Sequence, residues 1–287
     1  MDISITLPDN FQSMTISELL DKEWLVPRKV RHFLRTRKGV SISGQPVSFQ
    51  HSPQAGDTLI LHFEAEDYPA PKSQIGEAVS LDILFEDEHL IILNKPAGLK
   101  THPNEPDETD TLLNHLAAYL APKGDFPFVV HRLDRETSGC IVFAKNQFIL
   151  PILSRMLENK LIYRRYQAVV AGEIPEKHWI IRDKIGRHRH DRRKRVIDNR
   201  KGDFAVTHVE KAFYNTRTNE TSVFCTLETG RTHQIRVHLS GNGYPIIGDS
   251  LYGGAANQRL MLHAFELHLI HPFSKEEIVV QTEPGLW

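Results

Sequence analysis

A charged loop that runs straight into an apolar strand does most to limit what this chain can fold into. His131-Arg132-Leu133-Asp134-Arg135-Glu136-Thr137-Ser138-Gly139 is followed at once by Cys140-Ile141-Val142-Phe143-Ala144. Thr, Ser and Gly are residues of a tight turn, and the apolar run after them reads as a buried strand. Asp134 is thereby placed on a loop at the edge of a sheet, where a rigid scaffold can present it to a substrate. The arginines on either side favour its ionised form. A fixed, partly desolvated carboxylate can act as a nucleophile or stabilise a glycosyl cation. The plainer alternative is a surface loop in which Asp134 caps a turn.

The 287 residues suffice for one large domain with a small one beside it. A formal net charge of −1 argues against a purely nucleic-acid-binding protein and moves attention to local charge. Cys140 and Cys225 both lie in apolar runs, as reduced core residues of a cytosolic protein would. The opening MDISITLPDNF has no basic residue, unlike a signal peptide, and no apolar run approaches a membrane span. The 16 histidines are scattered without metal-ligand spacing, so no catalytic metal is expected.

Local patterns divide the chain into residues 1–66, a linker at 67–80 holding Pro69 and Pro71, and a larger domain at 81–287. In the first part Thr15-Ile16-Ser17-Glu18 is a capping box. Pro27 opens a second helix that Gly39 ends, with Val30, Phe33 and Leu34 as its core stripe. The rest of that helix carries Arg28, Lys29, Arg31, Arg35, Arg37 and Lys38 with no acid among them, a candidate RNA-phosphate face. Short strands around Gly44 follow. Further on, Thr111 caps a helix carrying Leu112, Leu113, Leu116 and Leu120, and Ile149 to Leu157 has helical spacing. Residues 165–171 alternate as a strand. Residues 182–201 hold ten Lys or Arg against three Asp, a loop or twisted hairpin that is either solvated or in contact with RNA. In Leu227 to Leu239 a strand ends at Gly230 and a helix begins with Thr232 as N-cap, which puts Arg231 beside a positive helix end.

The segment 131–139 resembles the catalytic signature of the RluA-type RNA pseudouridine synthases, which convert uridine in RNA to its C-glycoside isomer. Asn94-Lys95-Pro96-Ala97-Gly98-Leu99, Arg164 to Gly172 and Gly230 to Leu239 match further motifs of that family, with Arg164 where the family usually has Lys. The first 66 residues are similar to the alpha-L RNA-binding module named after a ribosomal small-subunit protein. The resemblance implies an α+β fold: a large mixed, mostly antiparallel sheet forming the catalytic domain, with a small N-terminal α/β RNA-binding domain. It implies Asp134 as the catalytic acid, Arg231 as the cation paired with it and Tyr166 as the ring that stacks on the uracil. It implies Arg132 as the side chain that fills the gap left by an extruded base, which costs a few kcal/mol to flip. His263 and His271 are expected to be structural.

An isomerisation needs no cofactor or metal. The expected substrate is structured RNA, most of all large-subunit (23S) ribosomal RNA, with transfer RNA as the alternative, and the expected enzyme is a cytoplasmic monomer. Two other readings compete. A noncatalytic RNA-binding or ribosome-assembly protein would not need Asp134. A nucleoside glycosidase would need a second carboxylate or a water-activating group near Asp134, and Glu136 is the sole acid nearby in sequence.

Overall fold

The computed structural model describes residues 1–68 and 74–287; Pro69 and Pro71 of the expected linker lie outside the described residues. The chain begins with β1 (Asp2–Thr6), the short helix α1 (Ile16–Glu18), helix α2 (Arg28–Thr36), β2 (Val40–Ile42), β3 (Gln45–Pro46) and β4 (Thr58–His62). The strands form an antiparallel sheet in the order β1-β4-β2-β3. The Thr15 capping box is present, with the hydroxyl accepting from the Glu18 amide and Glu18 accepting from the Thr15 amide. After α1 the chain widens into a π turn over Leu19–Glu23, closed by the Trp24 amide on the Leu19 carbonyl at 2.9 Å. Helix α2 is closed one step before the expected glycine, with Lys38 rather than Gly39 taking the left-handed conformation, at φ 51°. Gly39 is required for a different reason: a Cβ there would stand 2.9 Å from the His62 carbonyl oxygen.

The larger part contains β5 (Ile83–Glu86), β6 (Leu90–Lys95), helix α3 (Leu112–Leu120), β7 (Phe128–Val129), β8 (Ser138–Ala144), helix α4 (Ile149–Glu158) and β9 (Ile162–Ala171). It continues with β10 (His178–Ile181), β11 (Lys184–Arg187), β12 (Arg195–Ile197), β13 (Asp203–Phe204), β14 (Thr207–Asn215) and β15 (Glu220–Leu227). Helix α5 (Gln234–Gly241), β16 (Leu262–Ile270) and β17 (Glu277–Gln281) complete it. Ten strands build one sheet whose spine runs β10-β14-β15-β9-β16-β8-β6-β5. Every pairing in it among the described residues is antiparallel except β8 with β16. The expected mixed, mostly antiparallel α+β architecture is therefore the observed one. The basic stretch 182–201 is a hairpin, which with β13 makes a small sheet in the order β12-β11-β13.

The parallel rung between β8 and β16 sets the start of β8. Gly139 faces Ala264 at φ 111°, where a Cβ would collide with the Ala264 carbonyl. Ser138 and Gly139 thus belong to the strand, and the turn lies one step earlier, closed by the Thr137 amide on the Asp134 carbonyl at 3.1 Å.

The N-terminal part packs directly against the larger part. Leu19, Trp24, Val26 and Phe63 belong to the same buried cluster as Phe148, Ile149, Ile152 and Phe273 of the larger part. Trp24 meets Phe273 edge-on at 5.0 Å between ring centroids, and Phe63 lies 5.4 Å from Phe148. Arg155 of α4 donates to the carbonyls of Leu25 and Val26 at 3.1 and 3.3 Å. A second buried cluster, on the other face of β6 and β8, joins Ile91, Ile141 and Phe143 to α3, Tyr166, Ile235 and Leu239. Alternate residues of the apolar run feed the two cores, which is why that run carries no polar side chain. Among the described residues no helix is long and apolar enough to cross a membrane.

Candidate active site

A cleft of ≈ 1250 Å³ opens over the end of β8, and Arg132, Asp134, Tyr166, Arg231, His233 and Arg236 all line it. The loop that carries Asp134 is held from below by the Asn94-Pro103 block. The Thr101 hydroxyl donates to the Leu133 carbonyl at 2.9 Å and accepts from the Leu133 amide at 3.2 Å. Lys95 is wholly buried, and its ammonium donates to the carbonyls of Pro96, Leu99 and Arg135 at 2.8, 2.7 and 3.0 Å. Burial pushes that ammonium down to about 7, against the pull of Asp134 and Glu136. Three carbonyl acceptors still favour its protonated form, since only an ammonium can donate to all three. His131 is buried under the loop, accepts from the Val142 amide at 3.3 Å, and is pushed down to about 3 by burial and the charge of Arg164.

The cation on Asp134 is Arg236, not Arg231. Nη1 of Arg236 donates to Asp134 Oδ2 at 3.1 Å, while its Nε and Nη2 donate to Asp249 at 2.8 and 2.9 Å. Burial alone would lower Arg236, but the hydrogen bonds to Asp249 and the charge of Asp134 outweigh it and raise it above its ordinary value. Arg231 is exposed and its Nε donates to the Phe204 carbonyl at 3.2 Å. The expected pairing fails because the helix starts one residue later than the sequence suggests. Thr232 and His233 form a turn, His233 takes the left-handed conformation at φ 58° and makes no side-chain cap, and α5 begins at Gln234. Gln234 ties the turn down, accepting from the Thr229 hydroxyl and the Arg231 amide at 2.7 and 3.0 Å and donating to the Val206 carbonyl at 2.9 Å. Residues 234–239 are all buried, so Arg236 enters the interior one position beyond the core residue Ile235.

His233 closes the other side of Asp134, with Nε2 3.7 Å from Oδ2. The Tyr252 hydroxyl accepts from the Arg195 amide at 2.8 Å and lies 2.7 Å from His233 Nδ1. A proton donated from that hydroxyl to Nδ1 would leave the imidazole N–H on Nε2, facing Asp134. Burial lowers His233, with the charge of Asp134 opposing and the charges of Arg236 and Arg195 adding to the effect, so the ring is neutral at pH 7. Tyr166 is buried in β9 and raised by burial. Arg132 is exposed at the rim of the cleft.

The site is thus more extensive than the sequence suggests. Asp134, Tyr166 and Arg132 meet at one cleft; Arg231 reaches its edge; Arg236, Asp249, His233, Tyr252 and Lys95 are additions. One signal for Arg236 was available. A charge inside an otherwise buried helix needs a partner, but nothing in the spacing names Asp249. Of the six basic residues at 28–38, two are engaged internally: Arg31 pairs with Asp21 at 2.8 Å, and Arg37 with Asp67 and Glu64 at 2.6 and 3.2 Å. Arg28, Lys29 and Arg35 on α2, and Lys38 just beyond its end, remain exposed. Among the described residues no group of three or more His, Cys, Asp or Glu is placed to hold a metal ion.

Residues 89–241 match the family model for RNA pseudouridylate synthase. The chain belongs to that family. Residues 3–59 match the N-terminal domain of RluD ribosomal pseudouridine synthase. The chain is 40% identical over 281 residues to the uncharacterized RNA pseudouridine synthase YhcT of Bacillus subtilis, covering 93% of this chain and 91% of that protein. It is 36% identical to ribosomal large subunit pseudouridine synthase D of Nitrosomonas europaea, over 95% of this chain and 81% of that one. Among solved structures, human RNA pseudouridylate synthase domain containing 1 superposes with a TM-score of 0.59 at 26% identity, covering 74% of this chain and 87% of that chain. The enzyme is accordingly an isomerase that forms pseudouridine in RNA.

Proposed function

We propose that this enzyme isomerises uridine in large-subunit ribosomal RNA, acting as a cytoplasmic monomer, with Asp134 as its catalytic carboxylate. The observation that carries the reading is the seat of Asp134: half-buried, on a loop fixed by buried Lys95 and Thr101, and ion-paired to Arg236 at 3.1 Å. The names of the relatives that act on the large ribosomal subunit support the choice of RNA.

The reaction breaks the C1′–N1 bond of a uridine, turns the freed uracil and joins C5 to C1′. The C5 proton is lost and N1 gains one, so the balance is an isomerisation that consumes nothing. Attack of the carboxylate at C1′, attack at C6 and a glycal route through the 2′ proton all require Asp134 ionised. Arg236 donates to that carboxylate, and its fork on Asp249 keeps it from swinging away. Tyr166 forms the apolar floor on which a flipped uracil stacks, and Arg132 at the rim occupies the space that the base leaves in the RNA. The free cations of α2 add affinity through phosphates without reading sequence.

The test uses unmodified large-subunit ribosomal RNA transcribed in vitro, with pseudouridines mapped by chemical probing. The wild-type enzyme modifies defined uridines and Asp134→Asn modifies none while still binding the RNA. Retained activity in Asp134→Asn would remove that residue from the mechanism, and an unmodified ribosomal transcript beside a modified transfer RNA would reassign the substrate.

A further inference from the structure

We propose that the basic hairpin holds a second RNA contact, a subsite for one backbone phosphate next to the uridine cleft, gripped by Arg187, Arg195, Lys201 and Arg231. This inference rests on the proposed RNA substrate. A separate hollow of ≈ 370 Å³ lies between β11, β12 and the Gly230-Thr232 turn, and these four side chains line it. The same turn lines the uridine cleft, so the two spaces share a wall.

Three observations point to an anion there. First, Arg187 and Arg195 stand directly opposite each other on the β11/β12 ladder. Like charges facing across a two-stranded rung, with Cβ atoms about 5 Å apart, destabilise a sheet. Second, none of the four cations is neutralised. Among the described residues none has a carboxylate within 4.0 Å, although 15 Lys or Arg pairs of that kind occur elsewhere. Among the described residues the Arg195 side chain donates only to the carbonyls of Arg192 and Lys194, and the Arg231 side chain only to that of Phe204. The acids nearby are otherwise engaged or too far: Asp198 accepts from the amides of Arg200 and Lys201, and Asp203 lines the hollow without pairing. Third, Phe204 on β13 of the same small sheet is 53% exposed and faces Lys184 across the ladder. An exposed ring beside unneutralised cations is the pairing that grips single-stranded RNA, phosphate on the charge and base on the ring.

The hairpin is also tied to the uridine site. The Arg195 amide donates to Tyr252, which orients His233 against Asp134. A phosphate seated between Arg187 and Arg195 would relieve their repulsion and firm the strand that carries that amide.

The experiment uses the full-length enzyme and in-vitro transcribed large-subunit ribosomal RNA. Binding is measured against salt concentration, and turnover at a fixed salt, for Arg187→Gln, Arg195→Gln, Lys201→Gln and the double variant R187Q/R195Q. Arg217→Gln, an exposed cation on the β14–β15 turn, is the control for net charge. Loss of one phosphate contact reduces the slope of log K against log salt by about 0.7–0.9. The double variant should lose that much, raise KM several-fold with a smaller effect on kcat, and melt no lower than wild type because the repelling pair is gone. Arg217→Gln should match wild type in all three. Slopes and KM values indistinguishable from those of Arg217→Gln, in an enzyme that turns over the RNA, would overturn the subsite alone. Normal binding and a reduced slope in the double variant without any pseudouridine formed would leave the subsite standing and overturn the substrate assignment.

Discussion

Asp249 grips Arg236 through both carboxylate oxygens, at 2.8 and 2.9 Å, and this leaves one guanidinium nitrogen to reach Asp134. The two residues act as one part: a buried acid aims a cation at the reactive acid. Asp249 also accepts from the amides of Leu251 and Tyr252, so it fixes the turn that holds Tyr252 under His233. Asp249→Asn keeps the shape but removes the charge that balances a buried guanidinium. Breaking a buried pair from one side costs about 3–5 kcal/mol. The variant should lose stability of that order in chemical denaturation and lose turnover at saturating RNA. A variant with wild-type kcat would show that Arg236 keeps its aim without Asp249.

Arg236 and Arg231 are separated by their kinetics. Arg236→Lys retains a charge but not the fork that spans two carboxylates. It should reduce kcat by at least about 100-fold, near the 2.7 kcal/mol typical of a lost oriented charge contact at a reacting centre. Arg231→Lys should act on KM, since Arg231 touches no carboxylate. Equal kcat losses in the two variants would mean that Arg231 swings onto Asp134 when RNA binds.

Much of the fold could be read from the residues because local signals and packing agree there. The Thr15 capping box, the Thr111 cap and the apolar run after Gly139 each have one low-energy outcome. For Arg231 the signal for a helix start is ambiguous. Thr232 is a good N-cap by propensity, but the Gln234 side chain captures the Thr229 hydroxyl and the Arg231 amide and delays the helix. Asp249 reaches Arg236 only through the turn after Ile247, a tertiary contact that residue spacing does not encode. The shared core was hidden for the same reason: Trp24 and Phe273 are far apart in the chain, and nothing local announces their contact.

Tyr252→Phe should disorder the imidazole of His233. It removes the group that fixes the tautomer and leaves the Arg195 amide without its acceptor. The stability loss should be about 1–3 kcal/mol, the penalty for an unsatisfied polar group. Nitrogen NMR of His233 checks the first part: wild type carries its proton on Nε2 at pH 7, and the variant gives a mixture of tautomers. A proton on Nδ1 in wild type would refute the assignment.

Acid should unfold the enzyme partly through His131. Burial lowers it from 6.5 to about 3, so between those values the unfolded chain binds a proton that the folded one refuses. Above about 6.5 the residue contributes no pH dependence. As pH falls below that value it destabilises the fold progressively, and the effect levels off near pH 3. His131→Asn should therefore reduce proton uptake on unfolding at pH 4–5 by about one, whatever its effect on stability at pH 7. An unchanged slope of stability against pH would mean that His131 titrates normally in the folded enzyme.

Deleting residues 1–66 should unfold the remainder rather than only weaken its hold on RNA. The deletion strips Trp24 from Phe273 and Phe63 from Phe148, and removes the carbonyls of Leu25 and Val26 that hold Arg155. Each large apolar side chain returned to water forfeits about 1.5–3 kcal/mol. Phe148, Phe273, Ile149 and Ile152 pack in that shared cluster. A few such losses consume the roughly 5–15 kcal/mol of a whole domain's net stability. Residues 67–287 expressed alone should be insoluble or melt far below the full chain, whereas quadruple replacement of Arg28, Lys29, Arg35 and Lys38 by Gln should leave melting unchanged and weaken only RNA affinity. A truncated protein that melts within a few degrees of the full chain would show that the larger part folds without the N-terminal domain.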